Sequence, residues 1–75
     1  MIYCDLREKH DDYAIYFYGS DPSKLNGEIE IKSDLSVRII RPTDSNLNMW
    51  IGKLIVKYKN DFNKSIFRKK IAYEC

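Results

Sequence analysis

The residues of this 75-residue chain that could act in catalysis or bind a metal are few. His10 is the only histidine and precedes Asp11 and Asp12, while the two cysteines, Cys4 and Cys75, lie near opposite ends. Nucleophilic catalysis needs a nucleophile, a base and an orienting group in one pocket, and structural zinc needs four tetrahedral ligands. Because neighbouring side chains of an extended segment point apart, we predict that the His10 cluster is a solvent-exposed turn with no metal and no catalytic role.

Cofactor-binding motifs are not found either. The three glycines, Gly19, Gly27 and Gly52, match neither the P-loop nor the dinucleotide-binding fingerprint. Glu28 and Glu30 are spaced to share the exposed face of a strand, where acid–base catalysis has no support from burial. A chain of this length also has little volume for a substrate pocket of several hundred Å³. The sequence therefore predicts no enzyme, no cofactor and no small-molecule substrate.

The cysteines and the first residues indicate a cytoplasmic protein. Neither cysteine belongs to a C-x-x-C pair, and Asp5 interrupts the segment where a secretory signal would be apolar. No apolar run approaches the roughly 18 residues that a membrane span requires. We expect two reduced thiols, with a Cys4–Cys75 bridge as the alternative if the chain ends lie on neighbouring strands.

Charge is distributed unevenly along the chain. Residues 1–34 contain four basic and eight acidic residues, whereas residues 35–75 contain nine basic and three acidic ones. Such asymmetry can steer a charged partner, and nucleic-acid binding is therefore the alternative function. Its candidate phosphate contacts are Lys53, Lys57, Lys64, Arg68, Lys69 and Lys70. Bases could stack on Tyr16 and Tyr18 if the sheet face were open, although the acidic strands and a pI near 8.5 weigh against this function.

Strands are predicted in the first half. Residues 13–18 are aromatic and β-branched, and residues 28–32 and 36–41 alternate between apolar and charged positions. The short turn at residues 33–36 forces the last two into an antiparallel hairpin, with Ile29, Ile31, Val37 and Ile39 facing inward. Residues 2–6 are a further candidate strand.

The periodicity then changes from 2 to 3.6, which predicts a helix. Its apolar stripe is formed by Leu47, Trp50, Ile51, Leu54, Ile55 and Tyr58. Asp44, Ser45 or Asn46 can cap the helix start, and residues 60–61 are expected to end it. Residues 62–75 could form either a second short helix or a last strand.

These elements predict one α+β domain over residues 1–75. It consists of a small antiparallel sheet of three to four strands, one amphipathic helix on one sheet face and a short C-terminal element. Either Tyr16 and Tyr18 or Tyr13, Ile15 and Phe17 face the helix, because a one-residue register shift exchanges the two sets.

The positions of these turn and core residues also resemble a known group of sequences. The resemblance is carried by Tyr18-Gly19, Leu25-x-Gly27-x-Ile29, Ile40-Arg41-Pro42, a helix that starts past Asn46 and a tail centred on Phe62. Over residues 16–73 the chain resembles short proteins of Gram-positive bacteria that have no assigned function. The resemblance implies the fold and implies no activity.

A second apolar strip on the helix suggests a function. Met49, Gly52 and Val56 lie roughly opposite the buried stripe, where a helix that covers a two-layer domain should be polar. The first-choice prediction is a small non-enzymatic interaction protein that binds another protein or itself. It would use this strip or the sheet face that carries Tyr16 and Tyr18, and an inhibitor or toxin-immunity protein is a narrower version of the same prediction.

Overall fold

A computed structural model describes residues 1–43 and 47–74. It contains one antiparallel sheet of five strands in the order β4-β3-β2-β1-β5, with the helices on one face. The elements in chain order are β1 (Ile2–Lys9), β2 (Tyr13–Gly19), β3 (Gly27–Lys32), β4 (Val37–Arg41), α1 (Leu47–Lys57), α2 (Lys59–Asn63) and β5 (Lys70–Tyr73). The predicted α+β class is confirmed, and the sheet has one strand more than the upper limit of the prediction.

The central strand β2 settles which sheet face the helices cover. Ala14, Tyr16 and Tyr18 are buried in the core, whereas Phe17 on the opposite face is exposed. Because side chains alternate along a strand, Tyr13 and Ile15 share that outer face with Phe17. The aromatic residues of β2 are thus divided between the core and the open face of the sheet.

The hairpin of β3 and β4 forms as predicted, with one difference in burial. Ile29 and Ile31 are fully buried, and Leu35 adopts the left-handed conformation (φ 73°) that closes the turn. Ile39 was expected to face inward, but 40% of its surface is exposed. Ile39 lies opposite the buried Ile29 and therefore faces inward as expected, but it stays exposed because β4 is an edge strand and α1 lies over β1 and β5 at the other side of the sheet.

Gly27 has a packing role that the sequence did not indicate. The Asn26-Gly27 pair predicts a turn, yet Gly27 is the first residue of β3 and its φ is not positive. A Cβ atom at this position would overlap the ring of Tyr18, which lies opposite Gly27 in the β2–β3 pair. Glycine is therefore needed so that a core tyrosine can lie flat against the backbone.

The predicted helix stripe is confirmed. Four of its residues are buried, namely Leu47, Ile51, Leu54 and Ile55. The other two, Trp50 and Tyr58, are partly buried against the core. The helix ends at Lys57, before the predicted stop, and the proposed capping residues 44–46 lie outside the described residues. Neither described helix is long and apolar enough to span a membrane.

The C-terminal tail contains both of the structures that the sequence left open. It begins as the short helix α2, whose Phe62 is buried and lies 5.7 Å from Phe67, measured between ring centroids. It ends as the edge strand β5, where Ile71 lies opposite Cys4 in an antiparallel pair with β1. The tail thereby completes both the core and the sheet.

Candidate functional site

The histidine cluster at residues 10–12 lies on the surface. The His10 ring stacks on Tyr13 with 4.3 Å between centroids, and its Nε2 lies 2.9 Å from a carboxylate oxygen of Glu8. Asp11 and Asp12 are exposed. Within residues 1–43 and 47–74 no three histidine, cysteine or acidic side chains are placed to share a metal ion.

Cys4 is a buried free thiol on β1. Burial, together with a smaller effect of the neighbouring Asp5 carboxylate, raises the pKa of Cys4 to about 12. The thiol is therefore protonated at neutral pH, whereas the reactive form of a cysteine is the thiolate. Cys75 lies outside the described residues, and the alternative of a Cys4–Cys75 bridge is not formed, because Cys4 is free.

Tyr16 and Tyr18 do not form a surface. Their side chains are 0% and 1% exposed, and the Tyr16 hydroxyl donates a hydrogen bond to the main-chain oxygen of Arg68 at 2.8 Å. Burial raises the pKa of both phenols. The prediction that these tyrosines contact a partner or stack on bases is wrong, because the sheet register turns them toward the helices.

The open face of the sheet presents residues whose charges are already paired. Glu28 lies 3.3 Å from Arg7 and 3.7 Å from Arg41, and Glu30 lies 3.2 Å from Arg38. These pairs flank Ile15 and Phe17, which lie opposite Glu30 and Glu28 on the neighbouring strand. The acidic strands noted in the sequence are thus neutralised by arginines of β1 and β4, a relation that depends on strand register.

The six basic residues predicted to contact nucleic acid do not lie on one element. Lys53 and Lys57 lie on α1, Lys64 follows α2, and the remaining three lie at or before β5. Arg68 is held by the Asp61 carboxylate at 2.8 Å, and Lys70 lies 3.3 Å from Asp5. Both pairs are exposed to solvent, so they reduce the positive charge that these two residues offer a phosphate backbone only in part.

The outer strip of α1 is exposed, as the sequence predicted. Met49 and Val56 are 64% and 66% exposed, and Gly52 between them is also exposed. A Cβ atom built on Gly52 would meet no atom of residues 1–43 or 47–74 within 4 Å, leaving aside the backbone of α1 itself and the two neighbouring residues. Packing among the described residues therefore does not require glycine at this position.

A shallow groove of about 490 Å³ continues from this strip toward β5. We call it the α1 groove, and it is lined by Gly52, Lys53, Val56, Lys57 and Tyr73. Tyr73 is held in place by Trp50, whose ring centroid lies 5.8 Å from its own. Tyr73 could not be assigned this role from the sequence, because its position depends on the pairing of β5 with β1.

The charge of the α1 groove is positive. The Lys53 ammonium lies 4.9 Å from the centre of the Trp50 ring, and the Lys57 ammonium donates to the Ala72 main-chain oxygen at 2.9 Å. The helix sequence from Leu47 to Lys57 contains no acidic residue. Glu74 follows Tyr73 directly, but its carboxylate accepts a hydrogen bond from Tyr3 at 3.2 Å.

Comparisons with known protein families, curated proteins and solved structures find no match to this chain. The resemblance to short Gram-positive proteins stays a prediction. The class that the geometry defines is that of a small α+β protein whose outward helix face is apolar, grooved and basic.

Proposed function

We propose that the protein is a small non-enzymatic interaction protein that binds a protein partner through the outer strip of α1 and the α1 groove. The observation that carries the proposal is Gly52. Glycine in a helix interior costs about 1 kcal/mol relative to alanine, and, apart from the backbone of α1 and the two neighbouring residues, no atom of the described residues lies within 4 Å of a Cβ built at this position. A partner that packs closely against the helix would account for a glycine here.

The exposed apolar residues around Gly52 support the same surface. Single exposed apolar residues are common, but Met49, Gly52 and Val56 line one side of the helix over two turns and lead into the α1 groove beside Tyr73. Contiguous exposed apolar patches are typical of protein–protein contact sites. Tyrosine is also one of the residue types that most often dominate the binding energy of such contact sites.

The protein is less well suited to bind nucleic acid than to bind a protein partner. The aromatic side chains that could stack on bases, Tyr16 and Tyr18, are in the core, and Arg68 and Lys70 are paired with carboxylates. Phosphate binding relies on several cations that each contact the backbone. A protein partner is therefore the proposal that the surface favours.

The proposal includes the cellular compartment of the protein. A buried free thiol at Cys4 suits a reducing compartment, so we place the protein in the cytoplasm. Inhibitor and toxin-immunity proteins are small proteins that act only by binding, and this protein is proposed to act in the same way.

Position-specific cross-linking in cells that produce the native chain tests the proposal. A photoreactive amino acid is placed at Met49, at Val56 or, as a control, at the exposed Asn63 of α2. The proposal expects one and the same protein cross-linked from Met49 and Val56, no such adduct from Asn63, and loss of the adduct when Gly52→Leu is added. Adducts that form equally from Asn63, or no protein adduct from α1, would overturn it.

A further inference from the structure

We infer that the partner segment bound in the α1 groove is an acidic amphipathic helix, an inference that rests on the proposed function. It follows from three properties of the surface: the spacing of its apolar residues, the open position at Gly52 and the sign of its charge. Each limits the chemistry of the occupant.

The spacing of the apolar residues matches a helix. Met49 and Val56 are seven residues apart on α1, which is about 10 Å along the helix axis and two turns. A partner helix that follows this strip presents apolar residues at i, i+3 or i+4, and i+7, the pattern used by helices that bind in grooves. An extended strand would instead need an open sheet edge, and the edge of β5 nearest the groove is occupied at Ala72 by side chains of α1 and the residue after it.

Gly52 sets how close that helix can lie. Helix axes are usually 8–10 Å apart, depending on the side chains between them, and Gly52 contributes none. Because a Cβ there would meet nothing within 4 Å, the space over Gly52 is open to a bulky apolar side chain of the partner. Val56 and Tyr73 then form the sides of that site.

The charge of the groove selects an acidic partner. Lys53 and Lys57 are both lining residues, and none of the residues that line the groove is acidic. Their ammonium groups lie beside aromatic rings, Lys53 over Trp50 and Lys57 within 5.2 Å of the Tyr58 ring centre. Carboxylates on either side of the partner's apolar stripe would complement both lysines and guide the encounter.

A second copy of this chain fits the apolar strip but not its charge. Two α1 helices packed antiparallel about Gly52 would place Met49 of one copy against Val56 of the other. The same arrangement brings Lys53 of both copies together, and α1 supplies no carboxylate to neutralise them. Self-association would therefore be strengthened by salt, whereas binding of an acidic helix is weakened by it.

Two designed peptides test the inference. Each has about 18 residues, enough to form a helix, and the same leucine stripe, flanked in one peptide by glutamates and in the other by lysines. Titrated into isotope-labelled protein, the glutamate peptide is expected to shift the amide signals of Met49, Gly52, Val56 and Tyr73. Its affinity should fall about tenfold between about 50 and 500 mM salt, and about tenfold in Lys53→Glu. The control Lys64→Glu, which makes the same charge change away from the groove, should leave it unchanged.

Several outcomes overturn the inference. These are equal affinity for the lysine peptide, amide shifts confined to other surfaces, a duplex DNA that shifts the same amides and displaces the glutamate peptide, or a dimer in sedimentation experiments that grows with salt. The cross-linking experiment separates this failure from that of the proposed function. A cross-linked partner whose contact segment is not acidic retains the function and overturns only the inference, whereas the absence of any position-specific adduct overturns the function itself.

Discussion

Lys57 at the end of α1 is hydrogen-bonded to Ala72 in the edge strand β5. The Lys57 ammonium donates to the Ala72 main-chain oxygen at 2.9 Å, and the Ala72 amide donates to the Tyr58 hydroxyl at 3.4 Å. An edge strand has outward-pointing backbone groups that can pair with other chains unless they are covered. Lys57 and Tyr58 cover the backbone groups of Ala72, so this part of the β5 edge is closed.

Removal of the Tyr58 hydroxyl is expected to expose this edge. In Tyr58→Phe the Ala72 amide loses its acceptor, and its hydrogen exchange should become faster because the amide is then open to water. Ile71, which lies opposite Cys4 within the sheet, should change much less and serves as the internal control. Unchanged protection at Ala72, measured by amide exchange NMR, would contradict this account of the edge.

The buried hydroxyl of Tyr16 is expected to contribute to stability. Tyr16→Phe removes the hydrogen bond to the Arg68 oxygen and should lower the free energy of unfolding by about 1–2 kcal/mol, measured by urea denaturation. Tyr13→Phe, on the outer face of the same strand, is the matched control and should change stability by less than about 0.5 kcal/mol. Equal losses in the two variants would show that the Arg68 contact is not stabilising.

The pH dependence of stability should report the Cys4 thiol. Its pKa is raised to about 12 in the folded protein, whereas an unfolded cysteine has a pKa of about 8.5. Between these values the unfolded state has lost the proton and the folded state has kept it. The contribution of Cys4 to the free energy of unfolding is therefore at its full value below about pH 8. It falls as the pH rises, by up to about 1.4 kcal/mol per pH unit.

Cys4→Ala separates the contribution of Cys4 from that of other groups. The comparison is made in a Cys75→Ser background, so that Cys4 is the one thiol that titrates. The quantity compared is the slope of the unfolding free energy against pH. We expect a shallower slope between pH 9 and pH 10 in the Cys4→Ala protein. Identical slopes in the two proteins would refute the assignment of the raised pKa to Cys4.

The elements whose signal is local were predictable from the sequence. The α1 stripe and the alternation of Ile29 and Ile31 depend only on residue spacing, and both are confirmed. The strand β5 could be predicted only as one of two alternatives for the tail, because residues 70–73 are defined by pairing with β1, a partner at the other end of the chain. For the same reason neither the position of Tyr73 in the groove nor the packing of Tyr18 on Gly27 could be read from the sequence.

The candidate site was predictable in part. Met49, Gly52 and Val56 were identified from helical spacing alone and are exposed. The prediction that Tyr16 and Tyr18 lie on a binding surface was wrong. The alternation of side chains along a strand defines two faces but does not say which of them is buried. Ion pairs such as Arg38–Glu30 and Lys70–Asp5 also depend on register, so the sequence overstated how much free charge the surface carries.

The most direct test of the central claim measures stability and binding together in Gly52→Ala. Alanine favours the helix and its Cβ meets nothing within 4 Å, so the free energy of unfolding should rise by about 0.5–1 kcal/mol. The added methyl group fills the space over the helix, so affinity for the glutamate-flanked peptide should fall severalfold. Asn48→Ala, an exposed α1 position outside the groove lining, should stabilise the helix and leave affinity unchanged. A Gly52→Ala protein that is more stable and binds the peptide as tightly as the original would contradict the claim that a partner packs against Gly52.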